Sequence, residues 1–274
     1  PNTLGLFEPE VRAIAEIIPA ADGLLYYDGA NFNAILGRVK PAEMGFDICH
    51  LNLHKTFSAP HGGGGPGSGP VGVVERLRPY LPVPRVVKSA SGWALDYDQP
   101  HTIGQVAPFY GNFGVLVWTY AYGLLLGSDG LRTISDHAVL NANYIQEKLR
   151  AHYQPVTEGR CMHECVLSAQ PLLAHGIRAL DIAKGLIERG FHPPTVYFPL
   201  IVPEALMVEP TETETRETLD RFIAAMADLA RLAQERPQEL QAAPRTTPVG
   251  RLDEVAAARN MRLVLEEEGL KAAR

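Results

Sequence analysis

Asp47-Ile-Cys-His-Leu-Asn-Leu-His-Lys-Thr-Phe-Ser-Ala-Pro-His-Gly-Gly-Gly-Gly-Pro-Gly-Ser-Gly-Pro-Val-Gly-Val-Val74 is the stretch that decides the fold. Ile48, Leu51 and Leu53 with their polar neighbours suit a mostly buried strand bounded by breakers. Lys55 stands where that strand runs out into a loop, and Pro70 to Glu75 makes another strand. Most lysines lie on the surface. This one precedes the glycines Gly62 to Gly65, Gly67 and Gly69, which free the backbone to approach a ligand closely and to move. Upstream, Gly23-Leu-Leu-Tyr-Tyr-Asp28 reads as a buried strand ending in a carboxylate. Gly29-Ala30-Asn31 follows as a turn, and Phe32 to Leu36 as a short helical or irregular piece. Strand, connector, strand is the signature of a layered α/β domain, whose ligands gather at the carboxyl ends of the strands. Asp28 and Lys55 are therefore expected on one rim.

With 274 residues the chain is long enough for one large or two ordinary domains. A net charge of −6 and the lack of a basic cluster argue against nucleic-acid binding. Cys49, Cys161 and Cys165 form no even-numbered disulfide framework, so a reducing cytoplasm is expected. The longest apolar run, Phe113 to Gly127, contains glycines, falls short of a membrane span and reads as a buried helix. The opening Pro1-Asn-Thr-Leu-Gly, without a methionine, reads as the middle of a longer protein.

Helical spacing with an acidic first turn covers Glu8 to Ile18. Residues Pro79 to Pro100 read as a long irregular crossing, Gly104 to Gly127 as a helical link with Asn112-Phe-Gly just inside it, and Gly130 to Arg150 as an amphipathic helix. A second unit follows. It holds a strand at Cys161 to Ser168, a helix at Leu180 to Arg189 closed by Gly190, and a strand at Thr195 to Leu200. A long helix over Glu214 to Gln234 has Thr213 as its expected cap. The tail from Pro244 begins as a loop and ends in a helix rich in alanine and glutamate.

A lysine amine forms a Schiff base with an aldehyde, and a carboxylate keeps a ring nitrogen protonated. Those are the two protein groups that pyridoxal phosphate requires, and His54 is placed to stack on or hydrogen-bond to the same cofactor. The residues around them are recognisable. Leu51-Asn-Leu-His54-Lys55-Thr-Phe-Ser-Ala-Pro-His-Gly-Gly-Gly-Gly-Pro-Gly-Ser-Gly-Pro70, preceded by Tyr26-Tyr-Asp28-Gly-Ala-Asn-Phe-Asn-Ala-Ile-Leu-Gly37, resembles the P-protein family of the glycine cleavage system, and its two-chain branch most closely. The resemblance continues through Met162-His-Glu-Cys-Val-Leu-Ser168, Gly190-Phe-His-Pro-Pro-Thr-Val-Tyr-Phe-Pro-Leu200, Leu206-Met-Val-Glu-Pro-Thr-Glu-Thr-Glu214 and Thr247-Pro-Val-Gly-Arg-Leu-Asp-Glu-Val255.

This resemblance implies the aspartate-aminotransferase-like α/β fold, type I among pyridoxal phosphate-dependent transferases. Residues 1–115 would be part of the large cofactor domain, and 116–274 the linking helix and a small C-terminal α+β domain. It also implies Lys55 as the Schiff-base lysine, Asp28 as the partner of the pyridine nitrogen, Ala30 as a ring-packing residue and His54 as a cofactor neighbour. The implied reaction is decarboxylation of glycine with transfer of the aminomethyl group to the lipoyl arm of H-protein. The implied assembly is a heterotetramer with glycine dehydrogenase subunit 1. The half of the large domain expected before Pro1 is not in this sequence, so the chain is expected to be inactive alone. His61 to Gly69 would serve as a lid that closes over the site and opens for the arm. The alternatives are a glycine- or serine-directed hydroxymethyltransferase or aldolase of the same fold, and a truncated non-catalytic subunit.

Other motifs carry less. Gly62 to Gly69 is no Walker loop, because no Gly-Lys-Ser or Gly-Lys-Thr follows. As a strand, Cys161-Met-His-Glu-Cys165 would send Cys161, His163 and Cys165 to one face and Glu164 to the other, and its spacing matches no usual zinc pattern; no metal site is expected. His50 reads as a satisfied core histidine. The glutamates of Pro210 to Glu214 read as helix-capping groups, and Arg85 and Lys88 as solvent-exposed.

Overall fold

The computed structural model describes residues 1–63, 67–261 and 263–264. The chain divides into two units. One comprises Pro1–Glu147, Thr157–Cys165 and Glu209–Thr215, and the other comprises Lys148–Val156, Val166–Val208 and Arg216–Arg274.

In the first unit α1 (Val11–Ala20) precedes the short sheet β1 (Tyr26–Gly29), β2 (Ile48–Leu51) and β3 (Val71–Val73), in that spatial order. Glu8 and Glu10 lie ahead of α1 and not in its first turn. β1 and β2 run parallel, with Asp28 opposite His50, and β3 is antiparallel to β2. Buried Asp47 secures the start of the pair: its carboxylate accepts the Leu25 N–H at 2.9 Å and meets Arg76 at 2.6 Å. These hydrogen bonds, the backbone one foremost, hold its pKa below the usual value. β1 is buried on one face only, a correction to the expected buried strand. Tyr27 points inward against the edges of Phe32 and Phe46, with Ala34 and Ile35 beside them, while half of Tyr26 is exposed.

The expected irregular crossing contains a hairpin, β4 (Arg85–Ser89) with β5 (Gly92–Asp96). Its tight connection uses Gly92 at φ 122°, a conformation that favours glycine. Residues 104–112 are not helical. α2 (Phe113–Leu149) starts only where Asn112 can cap it, accepting the Val115 N–H at 3.1 Å. The expected division into two helices is present: α2 is two helices meeting at Gly127, whose φ of 62° no helix accommodates. The first of them is not buried as expected, since Phe113, Trp118 and Leu125 are exposed.

The second unit holds a four-stranded sheet of β6 (Gln154–Pro155), β7 (Cys165–Ser168), β8 (Thr195–Val196) and β9 (Ala205–Val208), ordered β6-β7-β9-β8. β9 has no counterpart in the sequence reading. β8 stops short of Leu200 because Tyr197 enters the left-handed region at φ 59°. Helix α3 (Ala179–Glu188) is followed by Gly190 at φ 77°. Helix α4 (Arg216–Glu235) buries Leu219, Met226, Leu229 and Ala233, the spacing of a single helix face. α5 (Pro237–Gln241) completes the packing. A Cβ on Gly185 of α3 would stand 2.4 Å from Leu229 and 2.7 Å from Leu240, so these helices touch where only glycine fits. α4 begins after Thr213, whose hydroxyl meets Thr211 instead of capping it. α6 (Glu254–Arg259) supplies part of the expected tail helix; residues 265–274 lie outside the described ones. No helix among the described residues is long and apolar enough to cross a membrane.

Candidate functional site

Parallel pairing sends the carboxyl ends of β1 and β2 in one direction, which brings the turn after Asp28 beside the loop of Lys55. A buried hydrogen bond fastens the two: the Phe32 N–H donates to Thr56 Oγ1 at 2.7 Å. The Asp28 carboxylate accepts the Ala30 N–H at 3.0 Å and lies 3.3 Å from His50 Nε2, yet 74% of its side chain is open to solvent. His50 Nδ1 meets the Tyr26 hydroxyl at 2.8 Å. An Nε2–H directed at Asp28 leaves Nδ1 to accept from Tyr26, so both contacts suit one tautomer. His50 is satisfied as expected, but beside a carboxylate at the strand end. A Cβ on Gly29 would fall 2.2 Å from the His50 carbonyl oxygen, which requires glycine immediately after Asp28.

Lys55 is exposed, and its loop is tightly wound. Its N–H donates to Asn52 O at 3.2 Å, its carbonyl accepts from Ser58, and Ala59 N–H returns to Leu53 O at 3.1 Å. Leu53 and Ala59 are buried with Val115, anchoring both ends of the turn. The ring of His54 meets His61 edge-on with centroids 4.7 Å apart, and buried Nδ1 has no hydrogen-bond partner. Burial, then the charges of His61 and Lys55, lowers the His54 pKa and favours a neutral ring. Gly69 passes so close to Leu51 O that a Cβ would sit 1.7 Å away, which fixes the far end of the glycine-rich loop. Gly64, Gly65 and Pro66 lie outside the described residues.

A second group of side chains in the same unit departs from expectation. Residues 161–164 are not a strand, since β7 begins at Cys165. Asn143 grips Cys161 at both backbone groups (2.7 and 3.1 Å), and Met162 N–H donates to Gly5 O at 2.7 Å. The segment therefore turns, and strand alternation no longer separates His163 from Glu164. His163 Nε2 lies 3.8 Å from Glu164 and 4.0 Å from Glu209, whose carboxylate accepts from Asn31 Nδ2 at 2.5 Å. One ligand atom from each of His163, Glu164 and Glu209 falls within 4.8 Å of the others, a set of the type that can hold a metal ion or a proton.

Burial, then the charge of Glu209, raises Glu164 to about 7; Lys55 pulls the other way. Burial also raises Glu209, against the Asn31 hydrogen bond and Lys55. His163, only 4% exposed, is lowered by burial to about 4, and its Nδ1 lacks a partner. Burial pushes the Cys161 thiol up to about 11 and Cys165 well above its ordinary value, so neither is a thiolate near neutrality. Glu212 accepts from the Tyr122 hydroxyl at 3.3 Å. Arg85 donates to the carbonyls of Arg78 and Pro79, which corrects its reading as a solvent-exposed cation.

The sequence reading missed Asn31, His163, Glu164 and Glu209 as a group. The available signal was Asn31 three residues beyond Asp28, with His-Glu and Glu-Pro pairs next to apolar segments.

Residues 134–245 match the family model of the glycine dehydrogenase C-terminal domain. A glycine dehydrogenase (decarboxylating) subunit 2 of Halalkalibacterium halodurans is 58% identical over 94% of this chain and 53% of its own length. One of Caldanaerobacter subterraneus subsp. tengcongensis is 57% identical over 95% and 54%. The chain thus spans about half the length of the curated relatives it matches. Among solved structures, a glycine decarboxylase (P-protein) of the glycine cleavage system in inhibitor-bound form superposes with a TM-score of 0.69 at 21% identity, over 83% of this chain and 53% of that one. The cysteine desulfurase of Thermococcus onnurineus NA1 gives 0.62 at 15% identity, over 84% and 58%. The fold is the expected mixed α/β type I class.

Proposed function

We propose that this chain belongs to the glycine dehydrogenase (decarboxylating) subunit 2 family and takes part in glycine decarboxylation, in which glycine loses carbon dioxide and the aminomethyl group passes to the lipoyl arm of H-protein. The observation that carries this reading is the buried Phe32–Thr56 hydrogen bond, which fixes the turn after Asp28 against the loop of Lys55. A primary amine and a carboxylate are thereby held on neighbouring loops, each side chain exposed and able to receive a ligand.

The cofactor of this proposal is pyridoxal 5'-phosphate, and the residues present fit it. Lys55 would hold its aldehyde carbon and Asp28 its ring nitrogen, with Ala30 packing against the ring. His54, whose buried Nδ1 lacks a partner, would lie beside it. When bound, the cofactor supplies an electron-withdrawing ring that stabilises negative charge left on a substrate carbon. The protein's own part is orientation. His50 and the Ala30 N–H fix the Asp28 carboxylate, and the wound turn from Asn52 to Ala59 fixes the backbone of Lys55. A neutral His54 adds no positive charge next to the amine.

We assign residues 1–115 to the cofactor domain and 116–274 to a linking helix and small domain. The partners of the proposal are lipoylated H-protein and a subunit 1, in a heterotetramer in the cytoplasm. The test is borohydride reduction with pyridoxal phosphate followed by peptide mapping, with and without subunit 1. A pyridoxyl group confined to Lys55 supports the reading, and its absence under both conditions overturns it. Glycine-dependent loading of lipoyl H-protein then separates this activity from a hydroxymethyltransferase or an aldolase.

A further inference from the structure

The turn at residues 161–164 gathers one imidazole and two carboxylates of the first unit. The His163 side chain is only 5% exposed, and its Nε2 faces Glu164 Oε2 at 3.8 Å and Glu209 Oε1 at 4.0 Å. Both gaps are too long for a hydrogen bond, and Nδ1 is buried with no partner either. Buried polar side chains ordinarily have at least one partner. This ring instead turns Nε2 towards two carboxylates that it does not reach. The spacing is that of ligands around a common ion, with one donor atom of each residue within 4.8 Å of the others. Ligands bound at about 2.0–2.2 Å stand roughly 3.3–3.6 Å apart in a tetrahedral zinc shell, so the set has to contract by roughly an ångström or less. Its supports are built. Asn31 Nδ2 donates to Glu209 Oε1 at 2.5 Å, and ligating carboxylates are commonly oriented by such outer hydrogen bonds. A Cβ on Gly5 would fall 2.4 Å from the Glu164 carbonyl oxygen and 2.7 Å from its Cγ, so the backbone there presses on Glu164 as only glycine can. Glu209 is exposed, which gives an ion its way in.

We propose that His163 Nε2, Glu164 and Glu209 bind one divalent transition-metal ion of the zinc class, as three protein ligands with a fourth position open. One imidazole with two carboxylates suits zinc, whereas magnesium and calcium take oxygen ligands. Cys161 and Cys165 are not among the ligands, although they flank the histidine in sequence. With Nε2 on the metal the ring proton sits on Nδ1, which has no acceptor. Zinc-bound histidines normally have that acceptor, so the affinity is expected to be about micromolar and no tighter. The ion ties the 161–164 turn to Glu209 and, through Asn31, to the turn that follows Asp28. This site stands apart from the reading of Lys55 and does not depend on it.

The test is titration of the chelator-stripped protein at pH 7.5, with Zn2+ by calorimetry and with Co2+ by absorption, in wild type, E209Q and H163Q. One equivalent is expected to bind the wild-type protein, and the affinity to fall about tenfold or more in each variant. The cobalt spectrum should lack a thiolate charge-transfer band. E209Q keeps the test clear of folding, because Glu209 is exposed and glutamine retains an oxygen for Asn31. Saturating Zn2+ should raise the melting midpoint of the wild type by about 5 °C and that of E209Q by under about 1 °C. The absence of saturable binding overturns the proposal. So does a thiolate band, or a loss in E209Q smaller than about tenfold, since the ion then sits elsewhere, such as on the facing rings of His54 and His61.

Discussion

Asp28 and Glu164 are carboxylates of the same unit in opposite surroundings. Asp28 stands at a strand end with three-quarters of its side chain in water, steadied by one backbone N–H and an imidazole. Glu164 is enclosed beside an unprotonated histidine, with the exposed Glu209 near it, and its pKa has moved to about 7. The open group is placed to meet a ligand. The enclosed one is placed to respond to charge. A rim of exposed groups thus rests on a buried layer that carries the electrostatic tension, with Asn31 belonging to both, as the residue that ends the Asp28 turn and holds Glu209.

The largest effect expected is at the open rim. K55A removes its only amine on the Lys55 loop, so pyridoxyl trapping at that position is lost completely, while the urea midpoint stays near the wild-type value because Lys55 is exposed. A fall in stability on the scale of a core substitution would show that the rim is not separable from the layer beneath it.

The buried layer should show itself in the pH dependence of stability. Glu164 is raised from 4.5 to about 7, so between these values the folded chain holds a proton that the unfolded chain has shed, and stability falls as pH rises. His163 is lowered from 6.5 to about 4, so between these values the unfolded chain holds the extra proton, and stability grows as pH rises. The two slopes oppose each other across pH 4.5 to 6.5 and nearly cancel. Each substitution exposes the other: E164Q should gain on the order of 2–3 kcal/mol from pH 4 to 6.5, and H163Q should lose a similar amount from pH 4.5 to 7. Urea midpoints over that range decide it, and parallel profiles for the two variants would refute the opposed titrations.

The joint between the Asp28 turn and the Lys55 loop comes next. T56V keeps the volume of the side chain but leaves the buried Phe32 N–H without an acceptor, for a cost of about 1–3 kcal/mol. T56S restores the acceptor and should recover most of the loss. Thermal unfolding of the pair of variants measures this. If serine fares no better than valine, the hydroxyl is not what joins the turn to the loop.

How much of this could be read from the residues follows the same division. Asp28 and Lys55 were legible because parallel strands place their ends on one rim wherever the intervening chain goes, and the glycines after Lys55 mark a backbone in close passage. The enclosed group was not. Whether His163 and Glu164 share a face depends on Asn143 gripping Cys161 and on Gly5 receiving Met162, contacts across distant sequence that no local alternation encodes. Treating 161–168 as one strand put the two side chains on opposite faces and dismissed the cluster. The β4–β5 hairpin was hidden differently. Pro79, Pro82 and Pro84 dominate the stretch, and the regular pairing starts only past the last of them. β9 is four residues long, too short for periodicity to distinguish it from a buried loop.

The smallest effect tests whether the rim's loop moves independently of what lies under it. Gly63 has φ 72° and nothing within 4 Å of where a Cβ would be, so alanine meets no neighbour and incurs only the strain of a left-handed backbone, about 1–2 kcal/mol locally. Gly69, by contrast, is pressed against Leu51 O and admits no side chain. On the reading of His61 to Gly69 as a lid, the end at Gly69 stays with β2 while a side chain at Gly63 meets nothing. In G63A, borohydride trapping at Lys55 should therefore stay within about twofold of wild type, while glycine-dependent loading of lipoyl H-protein falls several-fold, because passage of a long arm depends on loop motion and bonding of the amine does not. Equal losses in the two assays would mean that the loop shapes the cofactor site itself, and that the rim is a single rigid body.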